Sequence, residues 1–184
     1  MRDVLGAVRA ALIISVLASP ALAQQQNDIP PPPPDNFAPV TEAEVLAKLP
    51  ERERQIVQHE SDPKNRFDKL LDISDLRLAD VGAKLDAHAP SVADSLVLYE
   101  SVLRVADQLI RSPQAKAAER DKKFKRFERR LGKQLPVLRA IVDALPYNDS
   151  STGAAVLATV QRLRASALDS ALGVEILAPS APQE

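Results

Sequence analysis

Phe67–His88 reads FDKLLDISDLRLADVGAKLDAH, and its spacing decides the fold class. Phe67, Leu71, Ser74, Leu78, Val81, Leu85 and His88 recur at steps of 4, 3, 4, 3, 4 and 3. Leu70, Ile73 and Leu76 widen the stripe to one side. A strand would alternate every second residue over a short span, whereas a 4/3 alternation sustained this long marks an amphipathic helix. Asp62 and Pro63 supply its start: a carboxylate cap, then the residue that needs no amide partner in a first turn. From Pro63 to His88 such a helix is roughly 40 Å long at 1.5 Å per residue. His88 continues the seam near the C-terminal end, where a partly charged imidazole interacts favourably with the helix dipole. A pH-sensing role is the sharper alternative for this histidine.

Downstream the pattern repeats. Ala89-Pro90 closes the first helix, and Ser91 with Asp94 opens the next. Val92, Leu96, Tyr99, Leu103, Ala106 and Ile110 step by 4, 3, 4, 3 and 4. Two such stripes joined by a short turn can bury each other as an antiparallel hairpin. Ser112-Pro113 marks another start, with Phe124, Phe127, Leu131, Leu135, Leu138, Val142 and Leu145 as its stripe. Gly132 and Pro136 predict a kink or break near Gln134, because proline lacks the amide proton and crowds the preceding turn. Leu145-Pro146-Tyr147-Asn148-Asp149 reads as a loop. A last helix is expected from about Ser151, through Val156, Leu157, Val160, Leu163, Ala167, Leu168, Ala171 and Leu172. Gly173 then suits the left-handed residue past its end.

Upstream, Thr41-Glu42-Ala43-Glu44 has the capping-box form, and Pro50 divides a first short helix from a second over Glu51–Glu60. The chain begins MRDVLGAVRAALIISVLASPALA, the charged, apolar and small-residue layout of a secretory leader. Its apolar run is shorter than the roughly 20 residues a spanning helix needs. Pro30–Pro34 favour a polyproline spacer of about 15 Å. The resulting organisation is a leader at 1–23, a Gln/Pro-rich disordered linker at 24–40, a helical domain at 41–174 and a disordered tail at 175–184. The fold class is all-α: an antiparallel helical bundle of about four to six helices containing a long helical hairpin. With 45% hydrophobic but only 3% aromatic residues, its core must be built of Leu, Val, Ile and Ala. A dimer that completes an open face fits the pattern as well as a monomer does.

Composition narrows the chemistry. Cys is absent and Gly occurs five times, so disulfides, thiolate ligands and glycine-rich phosphate cradles have no material. No nucleophile elbow or paired-histidine zinc motif occurs. His59 lies near Glu60 and Asp62 but lacks a second ligand histidine, which suits a solvated helix end better than a metal. No cofactor and no metal are expected, and catalysis is not.

The remaining functional signal is KAAERDKKFKRFERRLGK, Lys116–Lys133. Losing Arg2, Arg9 and Asp3 with the leader takes the 24 basic and 25 acidic residues to 22 and 24. The segment holds 9 basic and 3 acidic residues, a charge of +6 against −8 on the rest. Phe124, Phe127, Leu131 and Leu135 share one face of its wheel, and cations crowd the other. A core-facing stripe backed by a solvated face explains this. An anionic partner bound by Lys122, Lys123, Arg126, Arg129, Arg130 and Lys133 is the functional alternative, and acidic helices of the same chain could also take these cations. The expected function is an exported, non-enzymatic scaffold or protein-interaction module, periplasmic or extracellular, whose partner is protein, self or other. The alternative is peripheral binding to an anionic membrane or envelope polymer; nucleic acid is not expected as a partner.

Overall fold

Thr41 opens the first helix through the reciprocal cap its sequence implies. Its hydroxyl accepts from the Glu44 amide at 3.3 Å, and its own amide donates to the Glu44 carboxylate at 3.0 Å. A computed structural model of the protein describes residues 40–90, 92–112 and 117–173, all within the unit Phe37–Glu184. The expected leader, the linker up to residue 39, the Ser91 and Pro113 helix starts and the C-terminal tail lie outside the described residues.

Six helices follow in order: α1 (Glu42–Lys48), α2 (Glu51–Gln58), α3 (Pro63–Asp86), α4 (Val92–Arg111), α5 (Ala117–Asp143) and α6 (Tyr147–Leu172). Among the described residues there is no strand. The fold is the all-α bundle that the periodicity predicts. Asp62 caps α3 by accepting from the Lys64 amide at 2.9 Å, with Pro63 first in the helix.

Four local expectations differ from the structure. The seam ends before His88, which lies past the end of α3 with φ 53. Its amide donates to Leu85 O at 3.0 Å and the Ala89 amide to Lys84 O at 2.9 Å, the paired bonds of a left-handed helix stop. His88 is therefore an exposed turn residue, and Leu76, expected to widen the buried stripe, is also exposed. Pro136 does not end α5, which continues from Ala117 to Asp143. One hydrogen bond is lost there, but buried Leu131, Gln134, Leu138 and Ile141 hold both halves against the bundle. Finally, α6 starts at Tyr147, so the expected loop shrinks to Ala144–Pro146. Pro146 serves as N-cap, its carbonyl accepting from the Asp149 amide at 2.9 Å. Asp and Asn favour first turns as well as loops, which hid this start.

The most extensive pairings are α3 with α4 and α5 with α6, two antiparallel hairpins. Between them, Arg126 reaches Asp68 and Arg130 reaches Asp72, each across 58 residues. A constant offset means that α3 and α5 run in the same direction. α4 lies against α6, with Arg111 donating to Ser166 Oγ at 2.8 Å. α3 and α6 do not touch. The hairpins are thus stacked flat upon each other. On the other side of α3, Arg66 pairs with Glu42 of α1 at 2.6 Å and Arg77 with Glu53 of α2 at 2.5 Å. Arg77 is nine residues from Asp68, and Arg66 is nine from Asp75. Nine residues are about two and a half turns at 3.6 per turn, so these contacts leave α3 on opposite faces. The order is three layers: α1/α2, α3/α4, α5/α6.

Aliphatic residues fill the interior, joined by Phe67 and Phe127 edge to face at 6.2 Å. One polar chain crosses it. The Tyr99 hydroxyl donates to Gln134 Oε1 at 3.0 Å, and Gln134 Nε2 donates to Ser74 Oγ at 2.8 Å and Asp75 Oδ1 at 2.5 Å. A buried amide that is paired on both ends fixes the register of α3, α4 and α5, because any slip would leave it unsatisfied.

Candidate interaction face

The basic residues of α5 separate into two sets. Phe124 and Phe127 are 3% and 0% exposed, so the aromatic stripe is core. Arg126 donates to Asp68 at 2.7 Å, and Arg130 to Asp72 at 2.8 Å and to Asp75. The Lys123 ammonium lies 5.9 Å from the centroid of the Phe67 ring. α3 thus takes three of the six cations that the sequence singles out, two on its aspartates and one over the Phe67 ring. Lys122, Arg129 and Lys133 are exposed and make no ion pair among the described residues. Lys125 joins them, and steps of 3, 4 and 4 put the four on one solvent stripe, where like charges repel.

Beside this stripe is a groove that sequence reasoning missed. Gly132, Leu135, Pro136 and Arg139 of α5 face Gln161, Arg164, Ala165 and Leu168 of α6 across about 680 Å³. Leu135 and Arg139 are nine residues from Arg126 and Arg130, so the groove opens away from α3, on the outer side of the stack. Arg164 Nε donates to Glu128 Oε1 at 2.9 Å. Its guanidinium passes 3.4 Å from where a side chain on Gly132 would begin, an ordinary contact distance.

The α6 side of the groove mixes Ala165 and Leu168 with Gln161 and Arg164. Leu168 and Leu172 are 44% and 66% exposed, and they end an outward stripe of mixed character that runs through Tyr147, Ser151, Ala154, Ala158, Gln161 and Ala165. The opposite face buries Gly153, Val156, Val160 and Ala167. The apolar part of the outward side is thus its C-terminal end, where two leucines one turn apart lie open. The signal was in the sequence: Val156, Leu157, Val160, Leu163, Ala167, Leu168, Ala171 and Leu172 cover too much of the wheel for one core face.

Other charged groups are structural. Glu100 on α4 is 1% exposed; burial raises its pKa, and Arg104 at 3.7 Å and Arg162 of α6 oppose the rise. Burial also raises Glu53 against the lowering effect of Arg77. The Tyr99 phenol is pushed well above its ordinary range by burial and then by Asp75. Glu44 is lowered by the hydrogen bonds of Thr41. His59 is exposed, its Nδ1 2.8 Å from Gln55 O. Among the described residues no group of three His, Asp or Glu could hold a metal ion, and no helix is long and apolar enough to cross a membrane. Comparison with protein-family models, curated proteins and solved structures finds no match.

Proposed function

We propose that the chain is an exported protein-interaction module without chemistry of its own, which receives a partner on the outer face of the α5–α6 hairpin. The observation that carries this reading is the open apolar surface of Leu168 and Leu172 at the C-terminal end of α6, beside Leu135 of α5. Exposed apolar surface bordered by polar residues is the usual character of a contact site. The layered order supports it too, since each hairpin in a stack offers its flat side to the next. A photo-crosslinking side chain at position 168, in the full chain within its native cells, tests the reading. A discrete protein adduct is expected from position 168 and none from exposed Lys69 on α3. Equal labelling at both positions, or none at either, overturns it.

A second reading, contact with an anionic surface, draws on the unpaired stripe of Lys122, Lys125, Arg129 and Lys133. With Phe124 and Phe127 in the core, α5 has no aromatic edge to insert, and the attraction reduces to exposed charge that salt screens.

A further inference from the structure

Resting on the interaction reading above, we propose that the partner element is an acidic amphipathic helix lying in the α5–α6 groove. Its apolar side would rest on Leu135, Leu168 and Leu172, and its carboxylates would meet Lys125, Arg129 and Arg139. Shape is the first argument. Two adjacent helices leave between them a trough in which a third packs at about 8–10 Å, and here the trough lies where the next layer of the stack would sit. A lipid surface is flat and meets the rim of a trough before its floor.

Charge is the second argument. The groove lining offers Arg139 from α5 and Arg164 from α6, and exposed Arg129 and Lys125 continue the α5 side one and two turns beyond Gly132. The one acid among them, Glu128, is already held by Arg164. Asp121 and Asp143 lie on the same side of α5 but toward its two ends, so the field is positive at the centre. Carboxylates placed along that centre are attracted, and a basic helix is rejected. The same field argues against a second copy. A two-fold contact through this face would bring one positive groove against another.

The test uses the full chain and a fluorescent peptide of about 18 residues, long enough for about 27 Å of helix. The peptide carries Leu at helical spacing and Glu along both flanks. Controls are a scrambled isomer of equal charge and a version with Lys in place of Glu. The acidic amphipathic peptide is expected to bind, more weakly as salt is raised, while both controls fail. Leu168→Asp should weaken binding roughly tenfold, since it removes apolar burial and adds repulsion. Arg139→Glu should weaken it roughly threefold, a rim-charge effect. Lys69→Glu should leave it unchanged, with all three variants matching the parent by circular dichroism. Equal binding of the scrambled isomer overturns the proposal, as does chain binding to phosphatidylglycerol vesicles without peptide binding. A crosslink from position 168 in cells combined with no peptide binding would discard the acidic helix and leave the interaction reading standing; loss of the crosslink would discard both.

Discussion

The α3–α4 hairpin has a layer on each flat side, whereas the α5–α6 hairpin has one, and the charges divide accordingly. On α3, Arg66, Asp68, Asp72, Asp75, Arg77, Asp80 and Lys84 all have ion-pair partners. On the outer side of α5, Lys122, Lys125, Arg129, Lys133 and Arg139 have none among the described residues. Helices with similar spacing thus carry different surfaces according to their place in the stack. The two covered sides of α3 pair their charges, across the seams and along the helix, and the outer side of α5 leaves its cations open; exposed leucines occur in both layers, Leu76 as well as Leu168.

The largest test of this contrast compares residues on the two sides of the second hairpin. Phe127→Ala removes a fully buried ring that packs on Phe67 and should cost about 3–5 kcal/mol in urea unfolding. Leu168→Ala, on the open side, should cost less than about 1 kcal/mol, because much of that side chain is already in water. Similar losses at both sites would mean that the groove is covered in the isolated protein.

The next effect is smaller and depends on pH. Glu100 between α4 and α6 has a raised pKa in the fold, so protonation favours the folded state. Its contribution is fully present below the ordinary carboxylate value of 4.5 and is lost as pH rises through the raised folded value. Glu100→Gln should therefore be at least as stable as the parent at pH 7, with any advantage shrinking toward pH 4. A parent clearly more stable than Glu100→Gln at pH 7 would show that Arg104 and Arg162 outweigh burial.

Much of the helix framework was legible in the sequence, because local rules govern it. The Thr41 and Asp62 caps, the 4/3 stripes on α3 and α4 and the left-handed Gly173 each depend on residues within a turn or two. The open layer was less legible. Whether Arg126 and Arg130 face solvent or α3 depends on a parallel register across 58 residues, which no local spacing encodes. Pro136 reads as a breaker because the packing that holds α5 through it is tertiary. His88 reads as part of the seam because it is in phase, yet the chain has already turned left-handed there.

That turn separates the two hairpins once more. The stop after α3 uses His88 at φ 53, whereas the stop after α6 uses Gly173 at φ 68. A side chain in the left-handed region strains against its own carbonyl, and glycine does not. His88→Gly should stabilise the protein by about 1 kcal/mol and raise the midpoint of thermal unfolding. No gain would mean that the contact of His88 Nδ1 with Asp86 O, at 3.0 Å, offsets the strain.

The smallest effect bears on the open layer directly. Arg129 lies one turn from both Lys125 and Lys133, so Arg129→Glu converts two repulsions at four-residue spacing into two attractions. The pair with Lys133 has the favoured order, acid before base, and together they should add roughly 0.5 kcal/mol at low salt, fading as salt shortens the range of exposed charges. A clear loss of stability instead would reveal a partner for Arg129 within the chain and break the contrast between the layers. If the fold gains while the acidic peptide binds less well, Arg129 is kept at some expense to stability, as expected of a cation held open for another molecule.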